Sequence, residues 1–256
     1  MKIFECDLQG GASVKVTIKQ SPAGEHRAGC LICGKPLVYG TEAVSRKCEI
    51  CGGDFRSAAA CEAGHYICDG CHGAGVPETT RLLLASRERD PIALFLKIAA
   101  LKSVHMHGPE HHSIVPGVLL TAYKNNGGDI DLGAALREAA KRGSQVPGGT
   151  CGYWGVCGAA AGAGIYASIV MQSGPLNGKV WHLPQILTAG CLESMAEVGG
   201  PRCCKRTVRL AIEAAAAFTA EHLGVTMPLS APKCTFHALN RECLRENCPY
   251  YGSADN

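Results

Sequence analysis

The sequence has almost no excess charge: 25 Lys and Arg stand against 22 Asp and Glu, a formal balance of +3. That is too weak for an electrostatic grip on a polyphosphate backbone, so nucleic acid is not an expected partner. The opening MKIFECDLQGGASVKVTIK mixes apolar and polar residues at short range and lacks the apolar stretch of a signal peptide, so a cytoplasmic, reducing setting is expected. The uncharged stretch from Gly143 to Gly178 is broken by Pro147 and Pro175 and rich in Gly, Ala and Ser, so it reads as buried structure and no membrane is expected. No internal repeat is present. Cysteine is plentiful, 16 of 256 residues, yet below the roughly 8–10% that marks a short secreted disulfide scaffold. Metal binding is the better use for it.

A chain of this length, 46% hydrophobic, can bury most of its surface, so extended disorder is excluded for most of it. Residues 13–19 alternate with period two, with Val14, Val16 and Ile18 on one face, and residues 2–8 make a weaker strand before the turn Gln9-Gly10-Gly11. Residues 1–25 therefore read as an N-terminal β hairpin. Residues 26–76 crowd metal-ligand types together with glycine and show little apolar periodicity. Residues 77–256 turn helical. Pro77 opens a helix over Glu78 to Arg89, and Asp90-Pro91 cap a second one through about Lys102. Ser113 or Pro116 starts a third through Tyr123, and Asp131 caps Leu132 to Arg142. Further helices are expected over Cys157 to Gln172, Pro184 to Val198, and Cys203 to Leu223, where Gly224 stops the helix. The fold class is α+β: a small two-zinc, ribbon or treble-clef-like module with short β hairpins, then a mainly α-helical domain.

Within the module the spacing is CxxC-x14-CxxC-x9-CxxxH-xx-CxxC, formed by Cys30, Cys33, Cys48, Cys51, Cys61, His65, Cys68 and Cys71. Two thiolates separated by two residues can turn back onto one cation, and two such pairs complete a tetrahedron. Eight ligands make two closed zinc sites. Either neighbouring pairs combine, or the first pair joins the third in a cross-brace. Closed sites contribute folding energy rather than chemistry. Few Lys or Arg lie between the ligands, and Tyr39, Phe55 and Tyr66 are the only aromatics there. His72, directly after Cys71, is a spare candidate.

Four of the ten histidines fall in HMHGPEHH, with His105, His107, His111 and His112 around Glu110. HGPEH satisfies the inverted zinc-protease pattern, but Gly108-Pro109 sits where its helix turn should be, which places His107 outside the helix carrying His111. What survives is a helix entry ringed by imidazoles and one carboxylate. Such a place suits an anionic substrate, proton movement or a metal, with His107, His111 and Glu110 as catalytic candidates.

GGTCGYWGVCGAAAGAGI places Cys151 and Cys157 at the ends of a glycine-rich turn before a Gly/Ala helix, where a helix N-terminus lowers a thiol pKa. Together with Cys191 and either Cys203 or Cys204 they could gather around an iron–sulfur cluster of the 4Fe-4S type. Cys234, Cys243 and Cys248, the last followed by Pro249, form another constellation in the tail. It needs a fourth ligand, for which Cys204, Cys6, His237 or a substrate atom are open choices. Arg202, Lys205 and Arg206 open the last long helix and are candidates for holding a small anionic substrate.

The segments HMHGPEHHSIVPGVLLTAYKNNGG, GGTCGYWGVCGAAAGAGI and GPRCCKR and the CxxxxxxxxCxxxxCP tail together resemble a family of uncharacterised cysteine-rich domains of anaerobes, found alone or fused to radical S-adenosylmethionine domains. The resemblance runs from about Cys30 to Tyr251. It implies partnership with a radical enzyme or another redox protein in redox, sulfur or one-carbon chemistry. The chain has no CxxxCxxC and so does not itself resemble a radical enzyme. Two alternatives stand beside an iron–sulfur or thiol-dependent enzyme: a zinc-knuckle accessory protein docking a radical enzyme or RNA, and a lyase similar to iron–sulfur dehydratases and desulfidases.

Overall fold

The computed structural model describes residues 3–7, 13–17, 29–73 and 76–252, and it is α+β. The chain divides into two compact units, Met1–Cys71 and His72–Asn256. In the first unit β1 (Ile3–Asp7) pairs antiparallel with β2 (Ser13–Thr17), Ile3 opposite Thr17; Ile18 lies outside the described residues. A second antiparallel hairpin joins β3 (Leu37–Lys47) to β4 (Asp54–Cys61), in register from Leu37 opposite Cys61 to Lys47 opposite Asp54, with an irregularity between Tyr39 and Val44. The eleven residues of β3 put its ends about 30 Å apart. Cys30 and Cys33 precede one end, and Cys48 and Cys51 follow the other.

This hairpin has almost no apolar core. Between residues 29 and 73 the buried hydrophobic positions are Cys30, Cys48, Ala60, Cys61 and Cys68, while Val38, Tyr39, Val44 and Phe55 face solvent. The second unit is the opposite. After the short α1 (Asp69–His72) come α2 (Val76–Ala85), α3 (Pro91–Ala99), α4 (Glu110–Asn125), α5 (Leu132–Gly143), α6 (Thr150–Tyr153), α7 (Gly158–Val170), α8 (His182–Val198) and α9 (Cys204–Leu223). Two short 3-10 turns, His237–Leu239 and Arg245–Asn247, follow in the tail. Ile92, Phe95, Ile98, Leu119, Leu120 and Ile212 are each completely or almost completely buried, and each such side chain stabilises by about 1.5–3 kcal/mol.

Local chemistry sets the helix ends. Asp90 accepts from the amides of Ile92 and Ala93 at 2.7 and 3.1 Å, and Asp131 accepts from that of Ala134 at 3.0 Å, as their N-cap positions require. Helix α4 is the centre of the unit, packed by α2, α3, α5, α7 and α9. It begins at Glu110, earlier than Ser113 or Pro116, because Pro109 takes the N-cap position and Pro116 is accommodated inside the helix. Pro116 has no amide to offer the His112 carbonyl. α7 passes close to that carbonyl: a Cβ at Gly162 would lie 3.0 Å from it and 3.1 Å from Val115 Cβ. The Gly/Ala composition of α7 is thus a packing device. Among the described residues no helix is long and apolar enough to cross a membrane.

Candidate metal centres

The eight module ligands assemble into two quartets: Cys30, Cys33, Cys61 and His65, and Cys48, Cys51, Cys68 and Cys71. In each, the ligand atoms all lie within 4.8 Å of one another. The arrangement is the cross-brace, and the hairpin is its cause: β3 carries the first two CxxC pairs apart, while the register brings Cys61 back beside Leu37. A tetrahedral zinc with Zn–S bonds of about 2.3 Å sets its sulfurs about 3.8 Å apart. Cys33 and Cys61 are 3.8 Å apart, as are Cys51 and Cys68, and Cys61 Sγ lies 3.5 Å from His65 Nδ1. These two sites could hold metal ions such as zinc.

Their backbone is arranged for thiolates. The Ile32 amide donates to Cys30 Sγ at 3.4 Å and the Cys68 amide to Cys48 Sγ at 3.3 Å. Burial raises Cys48, yet the amides of Cys51, Cys68 and Ile50 outweigh it and bring the thiol down to about 7. Burial and neighbouring sulfurs push Cys68 up to about 11 and Cys71 higher still. Crowded sulfurs that resist ionising together are what a central cation relieves.

In the second unit a cavity partly open to solvent is lined by Cys203, Cys234, Cys243 and Cys248 together with Lys205, Arg206 and Arg209. Among the described residues no carboxylate lines it. Cys203 is the N-cap of α9, so the thiol that joins the tail comes from the residue next to Cys204, one of the open choices. The Cys6 side chain lies outside the described residues, and His237 lines the same cavity. The Phe236 amide donates to Cys234 Sγ and the Arg245 amide to Cys243 Sγ, each at 3.4 Å, the same two-residue turn by which the Ile32 amide reaches Cys30. Lys205, Arg206 and Arg209 are all buried, and the Nε groups of both arginines have no hydrogen-bond partner. Lys205 and Arg206, expected to hold a small anion, both line this cavity. One Arg206 nitrogen is also fixed to the carbonyls of Gly199 and Pro201, at 2.8 and 2.7 Å. Arg202 is half-buried. Its charge lowers Cys151 and Cys204 against the larger effect of burial, and adds to the burial that lowers His107.

The glycine-rich loop is placed differently. Cys151 lies on the surface in the four-residue α6 and Cys157 at the N-cap of α7, while Cys191 is completely buried in α8 with its thiol 3.9 Å from the Ala211 carbonyl. Cys151 is raised by desolvation and by Cys157, not lowered, because a four-residue helix offers little dipole to oppose those effects. Burial and Cys157 push Cys191 up to about 12. Burial likewise raises Cys204 to about 12.

The histidine segment forms a buried network. His111 Nδ1 donates to the Gly108 carbonyl at 3.0 Å, which leaves Nε2 to accept from Lys205 Nζ at 3.1 Å. Lys205 also donates to the His105 carbonyl at 2.8 Å. His112 donates through Nδ1 to the Val146 carbonyl at 2.8 Å. His107 donates from Nε2 to Asn240 Oδ1 at 3.1 Å, tying this segment to the tail, and burial holds its pKa down at about 4. Burial and the Lys205 charge keep His111 well below its usual range. Burial raises Glu110, but the imidazoles of His105 and His72 and the nearby His111 hold it well below the usual carboxylate range.

A model for a family described as "Family of unknown function (DUF5714)" matches residues 79–251. The chain belongs to this family. The DUF5714 range contains the cysteine-lined cavity and the histidine segment, and the two ligand quartets lie before it. No curated protein and no solved structure matches the chain. Within the family's range, sequence reasoning missed Arg209, whose signal was its position three residues after Arg206 on one face of α9. It held His72 only as a spare candidate and gave His105 no role of its own, although both lie against Glu110.

Proposed function

We propose that this chain is an iron–sulfur redox metalloprotein, with a [4Fe–4S] cluster held by Cys203, Cys234, Cys243 and Cys248 and two structural zinc ions in the first unit. The observation that supports this reading is one cavity lined by four cysteines and three cations, with no carboxylate among the described residues. Buried cations need nearby negative charge, and Glu110 supplies only part of it, to Lys205. Four thiolates around an oxidised [4Fe–4S] core make a dianion, which offsets most of that charge. A single zinc fits less well, because these four sulfurs are not gathered within 4.8 Å of one another as those of the zinc quartets are.

Bound there, the cluster would supply one-electron chemistry. The chain's own residues do the rest. Lys205, Arg206 and Arg209 counter the negative charge, and the amides of Phe236 and Arg245 direct hydrogen bonds at sulfur. Phe95, Phe236 and Tyr250 exclude water. His107 and Asn240 hold the tail segment that carries Cys243. Four protein ligands leave no iron open, which argues against a dehydratase-like lyase. A radical S-adenosylmethionine enzyme or another redox protein is the partner this chemistry suits. A docking role for the zinc module is favoured by the exposed Val38, Tyr39, Val44 and Phe55 on its hairpin. The test is reconstitution under anaerobic conditions, followed by visible absorption before and after dithionite. Cys203→Ser and Cys248→Ser should lose the bleachable absorption and Cys191→Ser should keep it. Equal colour in all three would overturn the assignment.

A further inference from the structure

A second cluster of ligands in the helical unit contains no sulfur. His72 Nδ1 lies 3.0 Å from Glu110 Oε2, His105 Nδ1 lies 3.3 Å from Glu110 Oε1, and one ligand atom from each residue falls within a common 4.8 Å. We infer that His72, His105 and Glu110 form a third metal site, for a divalent first-row transition ion with open coordination positions.

Distances favour this reading. At metal–ligand bonds of about 2.1 Å, neighbouring ligands are about 3.0 Å apart in an octahedron and about 3.4 Å apart in a tetrahedron. The two nitrogen–oxygen separations match those edges. Glu110 is 2% exposed, so its anionic charge is a strong local attractor for a cation. The two imidazoles are 18% and 23% exposed, which leaves the site reachable from solvent. Their rings meet edge to face at 4.5 Å and 70°, holding both orientations.

Two details go beyond ordinary polar packing. His105 Nδ1 is a buried atom whose 3.3 Å contact with Glu110 Oε1 falls outside hydrogen-bond geometry. The space beside the three residues is also kept clear: a Cβ at Gly108 would sit 2.1 Å from Glu110 Oε2 and 2.6 Å from His72 Nδ1. Glycine at 108 lets the carboxylate and imidazole converge. The backbone fixes the rest, since the His105 amide donates to Glu110 Oε1 at 2.9 Å and Lys205 holds the His105 carbonyl. Two imidazoles and one carboxylate suit Fe(II), Mn(II) or Zn(II) and leave positions for water or a small chelating anion. This set shares no residue with the four-cysteine cavity.

Mn(II) is the probe of choice, because thiolate sites bind it poorly and a nitrogen–oxygen site accepts it. The full chain with its zinc bound is titrated with Mn(II) and free Mn(II) is read by electron paramagnetic resonance, then Zn(II) is added as competitor. The expected result is one Mn(II) per chain, displaced by Zn(II), with affinity at least tenfold weaker in His105→Ala. Gly108→Ala should show the same loss. Unchanged zinc content and circular dichroism in His105→Ala show that the fold is intact, and Cys243→Ser should bind Mn(II) as wild type does. No Mn(II) binding together with no third equivalent of zinc in the wild type overturns the site. So does binding that persists in His105→Ala.

Discussion

Replacing Cys48 by Ser should release both zinc ions, not one. The two quartets interlock along the chain, since the ligands of the first span Cys30 to His65 and those of the second span Cys48 to Cys71. The hairpin between them has one buried apolar residue that is not cysteine, Ala60, worth about 1 kcal/mol. A structural zinc supplies about 10–16 kcal/mol in small zinc-dependent folds, which exceeds or equals the roughly 5–15 kcal/mol stability of a whole domain. Loss of the second ion therefore unfolds β3 and β4, and that pulls Cys61 away from Cys33. The assay is zinc content per chain with hydrogen exchange over residues 37–61. The expected result is near-complete zinc loss, unprotected hairpin amides, and protection retained in α4 and α9. A variant that keeps one tightly held zinc with protected hairpin amides would show that the quartets fold independently.

Three further outcomes follow from the helical unit. Arg209→Met removes one of three cations from the cavity and should lower the cluster's reduction potential, since positive charge favours the reduced form. At a separation of ~7 Å and an effective dielectric of ~20 the effect is about 2 kcal/mol, on the order of 100 mV, read by redox titration; an unchanged or higher potential would contradict the placement of that charge. The folded-state pKa of Cys191 is raised from 9.0 to about 12, so its contribution is whole below pH 9 and is lost as pH climbs toward 12, by at most about 4 kcal/mol. Cys191→Ala should flatten the fall in stability across that window in chemical unfolding, and parallel curves would refute the buried neutral thiol. Gly162→Val forces side-chain atoms against His112, Val115 and Pro116 and should cost about 2–3 kcal/mol, seen as a lower thermal midpoint; an unchanged midpoint would show that α7 can move aside.

What was legible in the sequence was local. CxxC spacing encodes a turn that returns two sulfurs to one point, so all eight module ligands could be named from spacing. Their pairing could not, because both arrangements satisfy the same spacing and only the length of β3 separates Cys33 from Cys48. Asp90 and Asp131 announced their helices, since capping needs only the next three residues. Glu110 as the start of α4 was hidden because Pro116 reads as a beginning, and its lost hydrogen bond is tolerated where α7 packs against the His112 carbonyl. Cys203 and Cys204 are equivalent on the page. Only the N-cap geometry of α9 turns Cys203 toward the tail. The nearness of His72 to Glu110 spans 38 residues, and no periodicity signals it.

The central claim is that the cavity between α9 and the tail holds iron and sulfide. Protein purified without oxygen should contain iron and acid-labile sulfide in equal amounts, both lost together in Cys234→Ser while zinc content stays unchanged. Wild-type protein with a full complement of zinc, and neither iron nor labile sulfide after anaerobic reconstitution, would contradict it.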